Sequence, residues 1–369
     1  MPTILQVLPA LNGGGVERGT VDIARAIAEK GWGSFVASSG GRMESQIEEA
    51  GAKHIPLPLA SKNPATILHN AFRLAKIIRE NGVNIIHARS RVPAWSAYFA
   101  AKMTKIPLVT TFHGVYSGTS ALKKKYNSVM TYGDRVIAVS EFIKKHIHDN
   151  YQTDMRKVEV IHRGVDMDAF SPEKVDEKAV DELRQKWQIP NGKQVIFMPA
   201  RITRWKGQAV FIDALLELPH RDFYCVIAGV SGKHENFKSE LQAKISEANA
   251  DDVIKIVDAV SDMTAGLTLA DIVVCPSLRP EAFGRIPIEA SAMKKPIIAT
   301  AHGGAMETVI DGKTGLLVPP DNAVELSAAI EKGLLNHWFD GEFARQHVEE
   351  YFSLGKMCRR TIEIYEGLL

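Results

Sequence analysis

The sequence lacks any long apolar stretch. Nowhere in its 369 residues do about eighteen apolar side chains follow one another without interruption, which argues against an ordinary membrane-spanning helix. Its beginning, MPTILQVLPALNGGG, has one short apolar run, no basic leader and no cleavage-like site. We therefore expect neither a membrane span nor export, and a cytoplasmic location.

Cysteine is also scarce. The three cysteines, Cys225, Cys275 and Cys358, lie far apart, and two of them stand inside apolar strand-like runs. This pattern indicates neither a disulfide framework nor a zinc knuckle. We expect three small buried side chains in a reducing compartment.

The length and the hydrophobic pattern predict two α/β domains. A chain of 369 residues with 45% hydrophobic side chains is too long for one core. Short aliphatic runs alternate with longer amphipathic stretches, and the pattern begins again after about residue 190. The predicted strands are 3–8, 33–38, 53–57, 84–88, 107–112, 135–140 and 157–162, followed by 194–200, 223–229, 253–258, 271–277, 296–300 and 315–319.

Such a series predicts two doubly wound, Rossmann-like domains with parallel sheets, which bind ligands at the carboxyl ends of their strands. A ligand is then expected in the cleft between them. We expect the domains to span residues 1–165 and 166–352. The packing of a final helix at 353–369 stays open, and the first domain is one candidate surface.

Three consecutive glycines follow the first predicted strand. Gly13, Gly14 and Gly15 permit a close backbone approach, and the next helix, predicted from about Val16, directs its free amides at that loop. We expect a phosphate or a sugar to bind at this loop. The alternative is a tight turn without a ligand. The run is not a dinucleotide fingerprint, because Arg18 stands where that motif has glycine.

The corresponding loop of the second domain reads PARITRWKG. It places Arg201, Lys206 and Gly207 at the entrance to a helix, where the helix amides already favour negative charge. Arginine can bind two oxygens at once. This arrangement predicts a diphosphate site. Arg204 lies in the same turn and is either a further cation of that site or simply solvated.

Two glutamates stand eight positions apart in RPEAFGRIPIEA. Pro280 disfavours helix before it and Pro287 suits a first helical turn, so Glu281 is predicted in a loop and Glu289 in the first turn of a helix. A capping box does not explain Glu289, because the expected cap, Ile286, has no side-chain oxygen. We expect a carboxylate available to ligand hydroxyls, and interaction with the helix dipole is the alternative.

Other polar residues are less specific. His113, beside Gly114, follows a strand of the first domain, can donate a hydrogen bond into a cleft and titrates near neutrality, although a structural histidine is as common. Asp166 and Asp168 have a spacing that holds a metal in some nucleotide-sugar enzymes. They lie in the predicted linker, so we expect no metal site.

The small net charge of +2 conceals a basic segment. Residues 61–150 contain 14 lysines and arginines against four aspartates and glutamates, a balance of +10, with its densest part at Lys123, Lys124 and Lys125. An anionic partner is one explanation, and an ordinary solvated face is the other.

Together these motifs resemble glycosyltransferase family 4, retaining enzymes of the GT-B fold. The similarity covers essentially the whole chain and rests on four segments: GGG at 13–15, RITRWKG at 201–207, PEAFGRIPIEA at 280–290 and HGGAMETVIDGKTGLLVPPDN at 302–322. The sequence PEAFGR followed by HGGAMETV looks most like that of alphaproteobacterial members that build the lipopolysaccharide core or a related surface polysaccharide. In IHRGVD, Arg163 replaces the asparagine of many relatives. We expect this change to affect the linker and not the predicted chemistry.

The resemblance implies a retaining, metal-independent transferase that moves a hexose from a UDP- or GDP-sugar to a glycolipid or polysaccharide acceptor. No carboxylate of the enzyme is expected to act as a nucleophile. By this resemblance, Arg201 and Lys206 would bind the diphosphate, which the loop of Gly13, Gly14 and Gly15 would approach. Glu281 and His113 would contact the transferred sugar, together with the backbone amides of Ala282, Phe283 and Gly284. Glu289 would bind the ribose.

Other functions remain open on the sequence alone. A nucleotide-sugar epimerase or hydrolase would share the fold, and a non-catalytic two-lobed sugar-binding protein is a further alternative. The missing fingerprint argues against an NAD-dependent oxidoreductase. No nucleic-acid partner is expected. For a lipid-linked acceptor we expect peripheral, salt-sensitive contact of the three lysines with an anionic inner leaflet, beside an exposed segment VYSGTSAL at 115–122.

Overall fold

The computed structural model describes residues 1–116, 118, 120–335 and 338–369, which divide into two units. Met1–Gly164 and Leu354–Leu369 form the first unit, and Val165–Ser353 forms the second. No helix in the described ranges is long and apolar enough to cross a bilayer.

The first unit alternates strands and helices. Its elements up to Gly164 are β1 (Thr3–Val7), α1 (Gly15–Glu29), β2 (Gly33–Ser38), α2 (Glu44–Glu49), β3 (Lys53–Pro56), α3 (Pro64–Glu80), β4 (Ile85–Ala88), α4 (Arg91–Thr104), β5 (Leu108–Phe112), α5 (Ala121–Asn127), β6 (Arg135–Ala138), α6 (Glu141–Asn150) and β7 (Val158–Val160), with 3-10 turns at Ser128–Thr131 and Met155–Lys157.

Seven strands of the described chain pair in parallel in the order β3-β2-β1-β4-β5-β6-β7. The order reverses at β1, because β2 and β3 extend the sheet on one side and β4 to β7 extend it on the other. Every residue of β4 and β5 is buried, as expected for strands covered on both faces. The loops after β1 and β4 therefore meet at the carboxyl edge, where open α/β sheets bind ligands.

The second unit repeats the alternation. Its elements are α7 (Glu177–Lys186), β8 (Gln194–Pro199), α8 (Gln208–Leu216), β9 (Phe223–Ala228), α9 (Glu235–Glu247), β10 (Ile254–Val257), α10 (Met263–Leu269), β11 (Ile272–Cys275), α11 (Arg285–Ala292), β12 (Ile297–Thr300), α12 (Ala305–Thr308), β13 (Gly315–Val318), α13 (Ala323–Leu335) and α14 (Gly341–Phe352), with 3-10 turns at Pro172–Lys174, Arg204–Lys206 and Gly232–His234. The chain then returns to the first unit as α15 (Leu354–Glu366).

Among the described residues, six parallel strands form the second sheet in the order β10-β9-β8-β11-β12-β13. Alternate side chains of β8 enter different cores: Ile196 and Met198 join one apolar cluster, and Val195 and Phe197 join the other. This period of two places one core on each face of the sheet. The predicted fold class, two parallel α/β domains, is confirmed.

The observed strands lie within the predicted segments, while some helix limits differ. The helix predicted from about Val16 begins one residue earlier, at Gly15, and α7 begins after Asp176, which accepts a hydrogen bond from the Lys178 amide at 3.0 Å and caps the helix. The final helix, α15, buries Met357 and Tyr365 against the first unit, and the Tyr365 hydroxyl lies 2.6 Å from Nδ1 of His87.

Two glycines bring loops together at the carboxyl edge of the second sheet. Gly207 has φ 80°, and a Cβ there would lie 1.9 Å from the carbonyl oxygen of Pro276. At Gly304 a Cβ would lie 2.3 Å from the Cα of Phe283. The loops after β8, β11 and β12 can therefore touch only because these positions have no side chain.

We expect Gly304→Ala to destabilise the protein by about 1–3 kcal/mol, because the new methyl group meets backbone that cannot yield easily. Gly355→Ala is the matched control: Gly304 is the N-cap of α12 with right-handed helical backbone angles and Gly355 lies in the first turn of α15, but no heavy atom lies within 4 Å of a Cβ at Gly355. That control should be neutral or stabilising by roughly 0.5–1 kcal/mol. Urea unfolding of both variants measures the two effects. Equal unfolding midpoints for the two variants would contradict the close approach of Gly304 to the backbone of Phe283.

Candidate functional site

The main cluster of polar side chains in the second unit lies at the carboxyl edge of its sheet. It is built from the loop between β8 and α8 and the loop between β11 and α11. These two strands are neighbours, and the strand order reverses between them. This is the position at which parallel α/β sheets bind ligands.

Lys206 and Glu281, predicted for different parts of one ligand, are in contact. Lys206 Nζ lies 2.7 Å from Glu281 Oε1, and the Ser277 hydroxyl donates to the same oxygen at 2.6 Å. Lys206 also lies over the Trp205 ring, 4.5 Å from its centroid. The two side chains keep 15% and 24% of their surface exposed, so the ion pair remains accessible to a ligand.

The structure distinguishes the two arginines of the same turn. Arg204 contacts both carboxylate oxygens of Glu240, at 2.8 and 2.6 Å, and lies over the ring of Phe237. It is therefore held by its own unit and is not merely solvated. The Arg201 side chain is exposed and has no hydrogen-bond or ion-pair partner among the described residues. Arg201 is thus the arginine of this turn that can turn to a ligand.

Glu289 differs from its prediction in two respects. The helix α11 begins at Arg285 after its N-cap Gly284, which has φ 79°, so Glu289 lies in the second turn and not the first. Its carboxylate already has a partner: the side chain is 7% exposed and its Oε1 accepts from Arg285 Nη2 at 2.7 Å, so a ligand would have to share the carboxylate with Arg285. Because residues four apart face each other on a helix, Arg285 is the local counter-ion.

The segment Ala282–Gly284 is fixed by contacts with other parts of the second unit. Phe283 is 3% exposed and packs edge-on against Phe352, with ring centroids 5.8 Å apart. The Gly304 amide donates to the carbonyl of Glu281 at 2.9 Å. The glycine pair at 303–304 therefore fixes the backbone that carries Glu281.

His302 is a site residue that the sequence reasoning did not select. Its side chain lines the same recess as Ser277 and Glu281. Both of its ring nitrogens are buried without a hydrogen-bond partner among the described residues. The glycine pair that follows His302 was the available signal, since a side chain before such a tight loop lies at the strand's carboxyl end.

In the first unit, the glycine run forms the beginning of α1. Gly13 and Gly14 have φ 120° and 145°, values that favour glycine, and Gly14 is the N-cap with no side-chain cap. Gly13, Gly14 and Gly15 are exposed. The Glu17 carboxylate lies beside Gly14 and the Arg42 guanidinium beside Gly13, so side chains of both charges border the loop.

His113 and Arg163 lie together, contrary to the expectation for Arg163. Arg163 is 7% exposed; its Nη2 donates to the carbonyl of Gly15, and its Nη1 lies 3.2 Å from His113 Nδ1. The prediction that Arg163 affects only the linker is wrong. Burial, reinforced by Arg89, Arg163 and His87, lowers the pKa of His113 well below its usual value. This direction contradicts the prediction that His113 titrates near neutrality.

The Asp-x-Asp pair has local partners. Asp166 accepts from the backbone amides of Asp168 and Ala169 at 3.0 and 3.1 Å, and Asp168 pairs with Lys174 at 2.6 Å. Within the described residues, no group of three or more His, Cys, Asp or Glu side chains is arranged to hold a metal ion. Capping and ion pairing account for both aspartates.

Two family models together match almost the whole chain. The model described as Glycosyltransferase Family 4 matches residues 13–169, and the model described as Glycosyl transferases group 1 matches residues 179–350. The crystal structure of a glycosyltransferase from Rickettsia africae ESF-5 is 41% identical, covers 100% of this chain and 98% of its own, and superposes with a TM-score of 0.92. The chain belongs to glycosyltransferase family 4.

More distant proteins are similar to this chain over most of its length. The lipopolysaccharide core biosynthesis mannosyltransferase LpcC of Rhizobium leguminosarum bv. viciae is 26% identical to this glycosyltransferase over 77% of this chain and 78% of its own. HepE of Anabaena, solved in complex with UDP-glucose, is 22% identical and superposes over 100% of both chains with a TM-score of 0.87. The GT-B fold of the glycosyltransferase is thereby confirmed.

We expect the two glutamates to affect nucleotide binding differently. Glu289→Ala should weaken UDP binding by about tenfold or more, because it removes a charged hydrogen-bond acceptor. Glu281→Ala should leave UDP affinity nearly unchanged and reduce binding or transfer of the sugar. Calorimetric titration with UDP and with UDP-glucose separates the two effects. Thermal unfolding serves as the control for Glu289→Ala, which leaves Arg285 without its carboxylate, and equal responses to bare UDP would refute the division of roles.

Proposed function

We propose that this glycosyltransferase moves a hexose from a UDP- or GDP-sugar to a lipid-linked or polysaccharide acceptor, with retention of the anomeric configuration and without a metal. The observation that carries the proposal is the accessible contact of Lys206 with Glu281, beside the exposed Arg201. A nucleoside diphosphate needs such cations, and a sugar needs such a carboxylate. Surface-polysaccharide or lipopolysaccharide-core synthesis is the process that we favour.

In the proposed reaction, the bond between the anomeric carbon and the diphosphate breaks, and a bond to an acceptor hydroxyl oxygen forms. The hydroxyl proton passes to an oxygen of the departing diphosphate. The charge that develops on the diphosphate would be stabilised by Lys206 and Arg201, and such preorganised electrostatics is usually the largest single contribution to catalysis. Gly13, Gly14 and Gly15 would approach the diphosphate, and His113 would contact the sugar.

The ion pair gives the donor site a defined order of events. A diphosphate attracts Lys206 more strongly than one carboxylate does, because it presents more negative charge. As Lys206 turns to the diphosphate, Oε1 of Glu281 becomes available to the sugar hydroxyls while Ser277 still holds it. Donor binding would thus prepare Glu281 for the sugar.

The basic segment supports a phosphorylated, membrane-borne acceptor. Lys123, Lys124 and Lys125 are exposed on α5. Next to α5 lies an aromatic cluster around Trp95, whose ring contacts Tyr98, Phe99, Tyr126 and Tyr132. Aromatic side chains beside lysines are typical of surfaces that meet lipid headgroups. Ser117 and Thr119 of the segment proposed for the acceptor lie outside the described residues.

A hydrolase or epimerase of the same fold would use the same donor contacts, and acceptor dependence separates these functions from transfer. Donor turnover that requires an added glycolipid or polysaccharide acceptor supports the proposal. Equal release of UDP with and without every acceptor would favour hydrolysis. An altered sugar that remains on the nucleotide would favour epimerisation.

The diphosphate role can be tested with three variants of one turn. Arg201→Ala and Lys206→Ala should each lower turnover by about a hundredfold or more, because each removes one stabilising charge from the transition state. Arg204→Ala is the matched control, since Arg204 is held by Glu240, and its turnover should stay near that of the wild type. Steady-state kinetics with UDP- and GDP-sugars measures the effect. Near-wild-type turnover of both Arg201→Ala and Lys206→Ala would eliminate the role.

The membrane contact is tested by replacing Lys123, Lys124 and Lys125 together with glutamine. Each lysine near an anionic surface contributes about 1 kcal/mol, so flotation with phosphatidylserine vesicles at low salt should fall by about a hundredfold. Replacing Lys30, Lys53 and Lys76, exposed lysines near the amino ends of β2, β3 and β4, removes the same charge from the other edge of this sheet and serves as the control. Added salt should release the wild type. Equal flotation with neutral vesicles would indicate an ordinary solvated face.

A further inference from the structure

Arg163 contacts two parts of the proposed donor site at once. It follows β7, and its guanidinium reaches the start of α1 and the loop after β5. One terminal nitrogen donates to the carbonyl of Gly15, and the other lies 3.2 Å from Nδ1 of His113. All three residues belong to the first unit.

The contact between Arg163 and His113 fixes where the imidazole carries its proton. A guanidinium has five N–H donors and no acceptor, so His113 Nδ1 can only accept and must bear a lone pair. The proton of a neutral imidazole is then on Nε2. That nitrogen is buried and has no hydrogen-bond partner among the described residues. His113 therefore carries a buried N–H donor that no described residue of its unit accepts.

The groups around His113 also oppose a second proton on its ring. Arg89, which follows β4, is 4% exposed and donates to Gln6 at 3.1 Å. His87 on β4 is fully buried between Tyr365 and Thr111. The pKa of His113 is lowered mainly by burial, and then by the positive charges of Arg89 and Arg163. Tyr116, in the loop of His113 itself, adds no negative charge, because burial raises the pKa of its phenol to about 12.

Gly19 makes room for this arrangement. It lies in the second turn of α1, and a Cβ there would lie 2.7 Å from Nη2 of Arg163 and 3.2 Å from Nη2 of Arg89. A side chain at this position would displace the guanidinium that bonds Gly15 and His113. The helix that begins with the glycine run thus also provides the space for the arginine that holds its first carbonyl.

We propose that Arg163 is a positioning residue, which holds the carbonyl of Gly15 at the start of α1 and keeps His113 in the neutral form protonated on Nε2. His113 then donates a hydrogen bond to an oxygen of the bound sugar and does not accept one. This part of the inference rests on the proposed function for its ligand, whereas the state of the imidazole does not.

Nitrogen NMR of the histidine side chains tests the inference without any need for activity. In protein labelled with ¹⁵N-histidine, the His113 signals are assigned by their loss in His113→Gln. The wild type should show a proton on Nε2 and none on Nδ1, with no titration through the neutral range. In Arg163→Met, the pKa of His113 should rise by about one unit or more, because a nearby positive charge is gone. Arg163→Lys, which keeps a charged donor, should restore much of the wild-type behaviour.

Arg360→Met is the matched control. Arg360 is likewise a partly buried arginine of the first unit that donates to a backbone carbonyl, that of Val160, at 2.8 Å. Its loss should leave the His113 signals unchanged. A proton on Nδ1 in the wild type, or the same His113 titration in Arg163→Met and wild type, would overturn the inference.

Kinetics then connects the imidazole to the sugar. Arg163→Met should lower turnover by about tenfold to a hundredfold and add a loss of activity toward acid pH that the wild type does not show. Normal turnover and an unchanged pH profile in Arg163→Met would refute the positioning role. If the wild type transfers no sugar, the proposed function fails while the NMR result stands. If the wild type is active but its His113 is protonated on Nδ1, the inference alone fails.

Discussion

The contact between Lys206 and Glu281 is the interaction on which the proposed donor site depends. The two residues are 75 positions apart, and they meet because Gly207 lets the loop after β8 lie against the carbonyl of Pro276. Both side chains are mostly buried, with 15% and 24% of their surface exposed, so each charge needs the other until a ligand takes its place. A site that is ion-paired in this way does not have to stabilise an isolated buried charge, and its two groups are already beside each other for a ligand that needs both.

The first unit has a different electrostatic character. Arg89 and Arg163 are buried at the carboxyl edge of its sheet, close to the glycine run. They satisfy carbonyl, amide and imidazole acceptors, among them Gln6, Gly15 and His113. Cations that are fixed by acceptors of the fold, and not by a flexible carboxylate, cannot move far. We expect this edge of the first unit to be rigid and electropositive, as an anionic donor requires.

Much of the fold could be predicted from the sequence, because strands covered on both faces are continuous apolar runs and a parallel sheet follows from their alternation with helices. Lys206 and Glu281 were predicted from the chemistry of their loops. The Arg285–Glu289 pair and the role of Arg163 were not. They depend on where a helix begins, which Gly284 shifted by two residues from the prediction, and on a contact across 148 residues between Arg163 and Gly15. A sequence pattern carries neither kind of information.

A crystal structure of the protein with UDP bound tests the central claim most directly. The account predicts the β-phosphate within about 3 Å of Lys206 Nζ, Arg201 turned toward the diphosphate, and the Glu281 carboxylate released from Lys206 but still bonded to Ser277. UDP bound elsewhere, or bound while Lys206 and Glu281 remain paired, would contradict it.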